Sequence, residues 1–205
     1  MKLYPKLQHL VNELPFPSRK QELDEMAEFI ATHLNTEGNL GINYICTHNS
    51  RRSQFSQIWS ATAAAYYKLP ISSYSGGVEV TAFNLRAVDS CLRLGFHIKN
   101  TQESLENPIY EVKFSEEAEP TVCFSKTYED KSAPKENFIT MMTCGHADEN
   151  CPFIPGALKR IPFRFDDPKA YDDTDLEAVK YDERSLDIAS EIFYLMKSIS
   201  ERYEQ

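Results

Sequence analysis

Apolar residues along the chain alternate between a helical spacing and short extended runs. They recur every three to four positions in the segments predicted to be helices, which are 4–14, 18–34, 53–69, 81–95 and 182–204. Short runs rich in β-favouring residues predict strands over 41–46, 71–77, 137–144 and 161–165, and an antiparallel hairpin around SEEAEP within 109–127. Strands that alternate with helices predict an α/β domain with a largely parallel sheet.

Residues that could bind a ligand or take part in catalysis follow four of the predicted strands. Cys46, the Gly76-Gly77 pair, Cys144 and Asp167 each lie at a predicted strand end. In open α/β sheets, ligands bind beyond the carboxyl ends of the strands. The pattern therefore predicts one functional site at this edge of the sheet, with the glycines allowing close approach of the backbone.

The stretch NYICTHNSRRSQF places Cys46 six positions before Arg52, where a strand turns into a helix. Such a turn directs several backbone N–H groups and a helix dipole into one concavity, which suits a tetrahedral oxyanion. Arg52 can clamp that oxyanion in a bidentate manner, and Ser53 can donate a hydrogen bond to the sulfur. The same electropositive setting favours the thiolate of Cys46. The spacing alone fits a buried cysteine near a surface arginine equally well.

Cys144 and Cys151 form a second pair, seven positions apart in MTCGHADENCPFIP. This spacing is not that of a zinc knuckle and no further pair follows, so we predict no metal site. The spacing is compatible with two hypotheses. The two cysteines are structural, or they form a redox relay in which one thiol attacks a sulfur adduct and the other resolves the disulfide. Cys91 and Cys123 lie in apolar segments and are predicted to be core residues.

Composition and charge narrow the class of protein. The 205 residues are 41% hydrophobic and 26% charged, as in ordinary globular domains. Twenty-two basic against 31 acidic residues give a net charge of −9, which argues against a nucleic-acid or anionic-membrane partner. The N-terminus has no continuous apolar run, so we expect neither a secretory signal nor a membrane span. An odd number of cysteines, five, favours a reducing compartment, and we expect the protein in the cytoplasm.

The segment CTHNSRRS resembles the anion loop of the low-molecular-weight protein tyrosine phosphatases and of the thioredoxin-coupled arsenate reductases. Both typically read Cys-x-Gly-Asn-x-x-Arg-Ser, and Cys46, Asn49, Arg52 and Ser53 match. His48 stands in place of the usual glycine, and we expect it to adopt the positive φ of that position, which histidine tolerates comparatively well.

Arg51 stands where the reductases often have another cysteine, and we expect its side chain to be solvated. The resemblance implies that the oxyanion is bound by the loop as a whole, namely by Thr47, His48, Asn49, Ser50, Arg51, Arg52 and Ser53.

CGHADENCP and FDDP resemble the reductases specifically, which carry Cys-x6-Cys-Pro after a strand and then an Asp-Pro. The phosphatases usually have an aromatic residue after that proline, where this chain has Lys169. The resemblance covers roughly 40–100 and 137–170. It implies a single domain, 1–205, with a low-molecular-weight phosphatase-like three-layer fold: a mostly parallel sheet flanked by helices, a helical extension over 1–38, and a core over 39–205 that contains an inserted hairpin over 106–130.

The resemblance implies reduction of arsenate to arsenite. Cys46 would attack arsenate, Asp167 rather than Asp166 would donate a proton to the departing oxygen, and Cys144 and Cys151 would carry the disulfide outward. The electron donor would be thioredoxin or another thiol, with no bound cofactor.

Two alternatives remain. One is a phosphatase acting on phosphotyrosine or small phosphoesters through Cys46, Arg52 and Asp167. The other is a catalytically silent module that binds anions or senses redox state, which the unusual residues His48 and Arg51 suggest.

Overall fold

The computed structural model describes residues 1–102, 106–150 and 153–203, with only the backbone described at 149 and 150. Its helices are α1 (Pro5–Asn12), α2 (Lys20–Glu37), α3 (Arg52–Tyr67), α4 (Leu85–Leu94), α5 (Gly145–Asn150) and α6 (Glu177–Ser200), with a 3₁₀ turn over Pro168–Tyr171. Its strands are β1 (Leu40–Cys46), β2 (Ile71–Gly77), β3 (His97–Gln102), β4 (Ile109–Lys113), β5 (Thr121–Cys123), β6 (Phe138–Met142) and β7 (Ala157–Pro162).

Four strands form a parallel sheet in the order β2-β1-β6-β7. β3, β4 and β5 form a separate antiparallel sheet. The predicted α/β fold with a mostly parallel sheet is therefore confirmed, and so is the hairpin, as β4 and β5. The strand predicted over 161–165 is wrong in position, since β7 begins at Ala157 and ends at Pro162.

Helices cover both faces of the parallel sheet. Alternate residues of β1, Ile42 and Tyr44, lie in a large apolar cluster with residues of α2, α3 and α6. Ile45 and Cys46 lie in a smaller cluster on the opposite face, which includes Ala147 of α5. Burial on both faces explains why β1 lacks the polar alternation of a solvent-facing strand.

The two N-terminal helices pack into the main core. Leu7 of α1 and Leu23 and Ile30 of α2 are fully buried in the large cluster. α3 and α6 pack together through Trp59, whose indole N–H donates to the hydroxyl of Ser185 at 2.9 Å. None of the helices in the described part of the chain combines the length and apolar character needed to cross a bilayer.

Candidate active site

The loop from Cys46 to Arg52 lies at the carboxyl edge of the parallel sheet. Cys46 ends β1 and pairs in register with Gly77, the last residue of β2, and α3 begins at Arg52. A side chain at Gly77 would meet the backbone N of Asn49 at 2.7 Å and the carbonyl carbon of His48 at 2.9 Å. Only glycine leaves room for the loop to pass this closely over the neighbouring strand.

The carbonyl groups of the loop are held from outside. Those of four consecutive residues each accept a hydrogen bond from a surrounding element: the Thr47 carbonyl from the N–H groups of Val78 and Glu79, the His48 carbonyl from the Ser125 hydroxyl, the Asn49 carbonyl from the Gln54 amide, and the Ser50 carbonyl from the Asn84 N–H. These contacts, at 2.7–3.0 Å, fix the direction of the peptide planes.

The N–H groups of the same loop are left for a ligand. In the part of the chain that the structure describes, the backbone N–H groups of residues 47–51 donate to no protein acceptor. The Nε of Arg52 is likewise buried without a hydrogen-bond partner among the described residues. Buried donors without acceptors are costly, and successive unpaired N–H groups at the start of a helix bind anions. The loop therefore has the donor set of an oxyanion site.

The left-handed residue of the loop is Asn49, with φ of 47°. The expectation that His48 adopts a positive φ is therefore wrong. Asparagine tolerates this region because its short polar side chain bonds locally, and the loop forms without glycine at position 48. The His48 ring instead lies 3.3 Å from the Glu79 carboxylate at the outer rim.

A chain of hydrogen bonds ends at the sulfur of Cys46. The backbone N–H of Lys126 donates to Asn49 Oδ1 at 3.1 Å, which assigns the amide so that Asn49 Nδ2 donates to Ser53 Oγ at 2.9 Å. Because Ser53 Oγ accepts that bond, its own hydrogen is available for Cys46 Sγ, 3.0 Å away. The network thus directs a hydroxyl hydrogen at the sulfur of Cys46, which is 5% exposed.

Arg52 connects the loop to Asp167. One terminal nitrogen donates to the Phe165 carbonyl at 3.0 Å and the other to Asp167 Oδ2 at 2.6 Å. Asp166 instead points to solvent, with 97% of its side chain exposed, 3.6 Å from Arg184. Of the two neighbouring aspartates, the structure brings Asp167 to the site.

Arg51 is not solvated as predicted. Only 12% of its side chain is exposed, and its Nε donates to the Tyr181 hydroxyl at 2.9 Å. Its terminal nitrogens lie 4.0 Å from Asp167 and 3.9 Å from Asp172. The expectation fails because the partner comes from α6, 130 positions further along the chain.

Cys144 lies in the same buried apolar cluster as Cys46. Its sulfur is 3.5 Å from the Thr47 hydroxyl of the anion loop and accepts the Ala147 N–H at 3.4 Å. Its side chain is 3% exposed. The predicted partner Cys151 lies outside the described residues, so the structure brings together two of the three predicted redox cysteines and leaves the third untested.

α5 follows Cys144 directly and is bound to the sheet by charge. The side chain of Asp148 on this helix is 4% exposed and forms ion pairs with Arg160 of β7 and with Arg164, which donates its Nε at 2.7 Å. His146 lies exposed on this helix with its Nδ1 3.3 Å from the Thr47 hydroxyl.

A cleft of about 710 Å³ opens beside Arg52 and Asp167. One wall is formed by residues 15–19, the link between α1 and α2, and another by Glu191 of α6. Arg19 holds this wall in place, because its guanidinium pairs with Glu191 and lies over the Phe163 and Phe165 rings. The N-terminal helices therefore contribute to the surroundings of the anion loop.

The two remaining described cysteines are core residues and not part of the site. Cys91 and Cys123 are fully buried in the main apolar cluster, as predicted. Burial raises the pKa of the Cys123 thiol to about 12 and raises that of Cys91 well above its ordinary value. Both thiols are suited to packing rather than to nucleophilic chemistry.

Several residues that support the site have no signal in the sequence. Ser125 and Lys126, which hold the loop through His48 and Asn49, come from the segment interpreted as an insertion. Tyr181 lies in what reads as an ordinary amphipathic helix. Their contribution depends on contacts between distant segments, which no local spacing indicates.

No protein-family model matches the chain. It is 28% identical over 127 residues to arsenate reductase 2 of Staphylococcus haemolyticus, an alignment that covers 62% of this chain and 77% of that protein.

Two solved structures share the fold. A low-molecular-weight phosphotyrosine phosphatase from Vibrio cholerae O395 aligns with a TM-score of 0.53 and 15% identity, over 78% of this chain and 96% of that one. A low-molecular-weight protein tyrosine phosphatase from T. tengcongensis aligns with a TM-score of 0.51 and 13% identity, over 78% and 99%. The low-molecular-weight phosphatase-like fold, and the resemblance of this chain to the superfamily of these phosphatases and the arsenate reductases, are thereby confirmed.

Proposed function

We propose that this protein reduces arsenate to arsenite with a cysteine nucleophile and a two-cysteine disulfide relay. The observation that carries the proposal is the burial of Cys144 next to the anion loop, in one cluster with Cys46 and 3.5 Å from the Thr47 hydroxyl. Hydrolysis of a phosphoester has no use for a second thiol at this position. The sequence similarity to a protein named arsenate reductase supports the same choice.

The first step is attack on arsenate bound in the loop. The free N–H groups of residues 47–51 and the Nε of Arg52 would bind its oxygens. The oxyanion thereby competes with Asp167 for Arg52. Cys46 forms a sulfur–arsenic bond, the bond from arsenic to a hydroxyl group of the monoprotonated arsenate breaks, and the departing hydroxyl takes a proton from Asp167 and leaves as water.

The second step moves two electrons to arsenic. The thiolate of Cys144 attacks Cys46 Sγ, a disulfide forms between them, and the electron pair of the sulfur–arsenic bond stays on arsenic, which leaves as arsenite. Arsenic is reduced from the +5 to the +3 state, and the two thiols are oxidised. Cys151 then attacks Cys144, which releases Cys46 and leaves a Cys144–Cys151 disulfide.

An external dithiol such as thioredoxin would reduce that disulfide, and no bound cofactor is needed. A reducing compartment such as the cytoplasm suits this cycle. The last exchange requires α5 to rearrange. A helix of six residues is about 9 Å long, whereas a disulfide holds its two Cα atoms within about 7 Å.

The second candidate is a phosphatase. The loop network, Arg52 and Asp167 would serve phosphoester hydrolysis equally well, and the two solved structures named above are phosphatases. The 710 Å³ cleft beside Arg52 would then hold the leaving group. The two candidates differ only in whether the second and third thiols are used.

A paired assay on one preparation separates the candidates. One arm follows arsenate-dependent NADPH oxidation with thioredoxin and thioredoxin reductase, and the other follows hydrolysis of an aryl phosphate. Wild type, Cys144→Ser and Cys151→Ser are compared, with Cys91→Ala as a control that removes a thiol from the core only. The proposal predicts arsenate turnover in wild type and the control and none in the two serine variants. Aryl phosphate hydrolysis by all four proteins without arsenate turnover would identify a phosphatase instead.

A further inference from the structure

The two oxygens of Asp167 have different partners. Oδ2 accepts from Arg52 at 2.6 Å. Oδ1 accepts the backbone N–H of Lys169 at 3.1 Å and faces Arg51 at 4.0 Å. When Arg52 turns to a bound oxyanion, only Oδ2 of Asp167 loses its partner. The contacts of Oδ1 do not involve Arg52 and therefore remain.

Arg51 is itself fixed from the far side. Its Nε donates to the hydroxyl of Tyr181, which is fully buried and donates in turn to Asp172 Oδ1 at 2.7 Å. Burial, then the hydrogen bond to Asp172, raises the pKa of Tyr181 to about 12, so the tyrosine stays neutral. Arg51 is thereby held between two carboxylates by a residue of α6.

We propose that Arg51 is a positioning residue for Asp167, which holds the Oδ1 side of the carboxylate at the anion loop after Arg52 has turned to the bound oxyanion. Oδ2 is then the oxygen that carries the proton for the departing group. This inference rests on the proposed role of Asp167 as proton donor. It adds Tyr181 and Asp172, which lie outside the loop motif, to the machinery, and it gives the side chain of Arg51 a role other than the anion binding that the loop motif implies.

A purely structural ion pair makes a different prediction. If Arg51 only stabilised the fold, its loss would lower the thermal midpoint without a selective effect on the chemical step. A positioning role requires the opposite: the rate constant at saturating oxyanion falls, while the half-saturating concentration stays the same, because Arg51 acts on the proton donor and not on the bound anion.

The test uses Arg51→Gln, Arg51→Lys and Tyr181→Phe. Tyr181→Phe keeps the buried ring and removes only the hydroxyl that holds Arg51, so it covers the case in which Arg51→Gln folds poorly. Arg93→Gln removes an exposed ion pair with Asp182 of the same helix α6. Tyr194→Phe removes a comparable tyrosine–aspartate hydrogen bond, to Asp24, also from α6. These two variants are the matched controls.

The measurement is the single-turnover rate of arsenite formation as a function of arsenate concentration. We expect Arg51→Gln and Tyr181→Phe to lower the saturating rate constant by roughly tenfold, a part of the 10²–10⁴ that a positioned acid contributes. The half-saturating concentration should change less than about twofold in both, Arg51→Lys should recover part of the rate, and both controls should match wild type. Rates equal to those of the controls, or a rise in half-saturating concentration alone, would overturn the inference.

Failure of the proposed function gives a separate result. If wild type does not form arsenite, the inference is judged on hydrolysis of phenyl phosphate and 4-nitrophenyl phosphate, which would use the same proton donor. Loss of positioning should slow the phenyl ester more, because its leaving group needs the proton more. Equal slowing of both esters, or absence of both reactions in wild type, would overturn it.

Discussion

The anion loop (residues 46–52) and the relay segment (Cys144 with α5) lie side by side at the edge of the sheet, but they are held in place by different interactions. Uncharged groups from several elements fix the loop: the carbonyls of residues 47–50 each accept a bond from outside, and the buried Asn49 amide joins Lys126 to Ser53. In contrast, α5 is held to the sheet by the ion pairs of one buried carboxylate, Asp148, with Arg160 and Arg164. The difference matches the two tasks proposed here, since the loop binds an oxyanion without rearranging and the relay segment must reorganise.

Breaking the ion pairs of α5 should separate the two regions most clearly. Asp148→Ala removes the buried carboxylate from its ion pairs with Arg160 and Arg164, whose side chains are 27% and 52% exposed, so we expect the loss of local stability to stay just below the cost of an unpaired buried charge, about 3–5 kcal/mol. We expect backbone amides of 145–150 to exchange with solvent roughly 100-fold faster, while those of 55–64, in the helix that follows the loop, keep their protection. Hydrogen exchange resolved by peptide measures both. Asp182→Asn, which breaks the exposed pair with Arg93, is the control. Equal loss of protection in both regions would show that they are one unit.

A substitution at the centre of the anion loop should instead affect the loop and leave α5 unchanged. Asn49→Ala removes the amide that bonds Lys126 and Ser53 and places alanine at φ of 47°. The lost hydrogen bonds and the left-handed backbone together should lower the free energy of unfolding by about 2–4 kcal/mol.

The same variant should weaken the protection that arsenate gives Cys46 against alkylation, while exchange of α5 stays as in wild type. Denaturant unfolding and iodoacetamide labelling are the measurements. Undiminished protection by arsenate would contradict the role assigned to Asn49.

The smallest effect is expected from removing the last hydrogen bond of the chain that runs from Lys126 through Asn49 and Ser53 to Cys46. Ser53→Ala removes the donor 3.0 Å from Cys46 Sγ, and a hydrogen bond of this kind is worth about 1–2 kcal/mol. We expect alkylation of Cys46 at neutral pH to slow by roughly tenfold. Ser56→Ala, on the same helix with its hydroxyl bonded to the Arg52 carbonyl, is the control. Identical labelling rates in the two variants would show that the Ser53 hydroxyl does not act on the sulfur.

Much of the fold follows from local pattern. The strand ending at Cys46, the helix after it and the glycines of β2 were all predictable, because buried parallel strands are continuous apolar runs and close backbone contact requires glycine. β3, HIKNTQ, has mostly exposed polar residues and gives no such signal. The strand that corresponds to β7 was predicted too far towards the C-terminus, because the buried apolar residues Phe163 and Phe165 lie after β7.

The site was less predictable than the fold. Cys46, Arg52 and Ser53 follow from one short motif, but the environment of Arg51 depends on Tyr181 and Asp172, more than 100 residues away. The support of Asn49 by Lys126 depends on a segment that reads as an insertion. The boundary between extension and core at residues 38–39 stays a prediction, as does the role of Cys151.

Thiol counting and disulfide mapping after one turnover test the central claim most directly. Reduced wild type and Cys151→Ser are mixed with arsenate without a reductant, and the products are mapped by mass spectrometry. Wild type should lose two of its five thiols and form a Cys144–Cys151 disulfide, and Cys151→Ser should accumulate a Cys46–Cys144 disulfide, each with one arsenite per chain. Five intact thiols after incubation with arsenate, or a disulfide that includes Cys91 or Cys123, would contradict the relay.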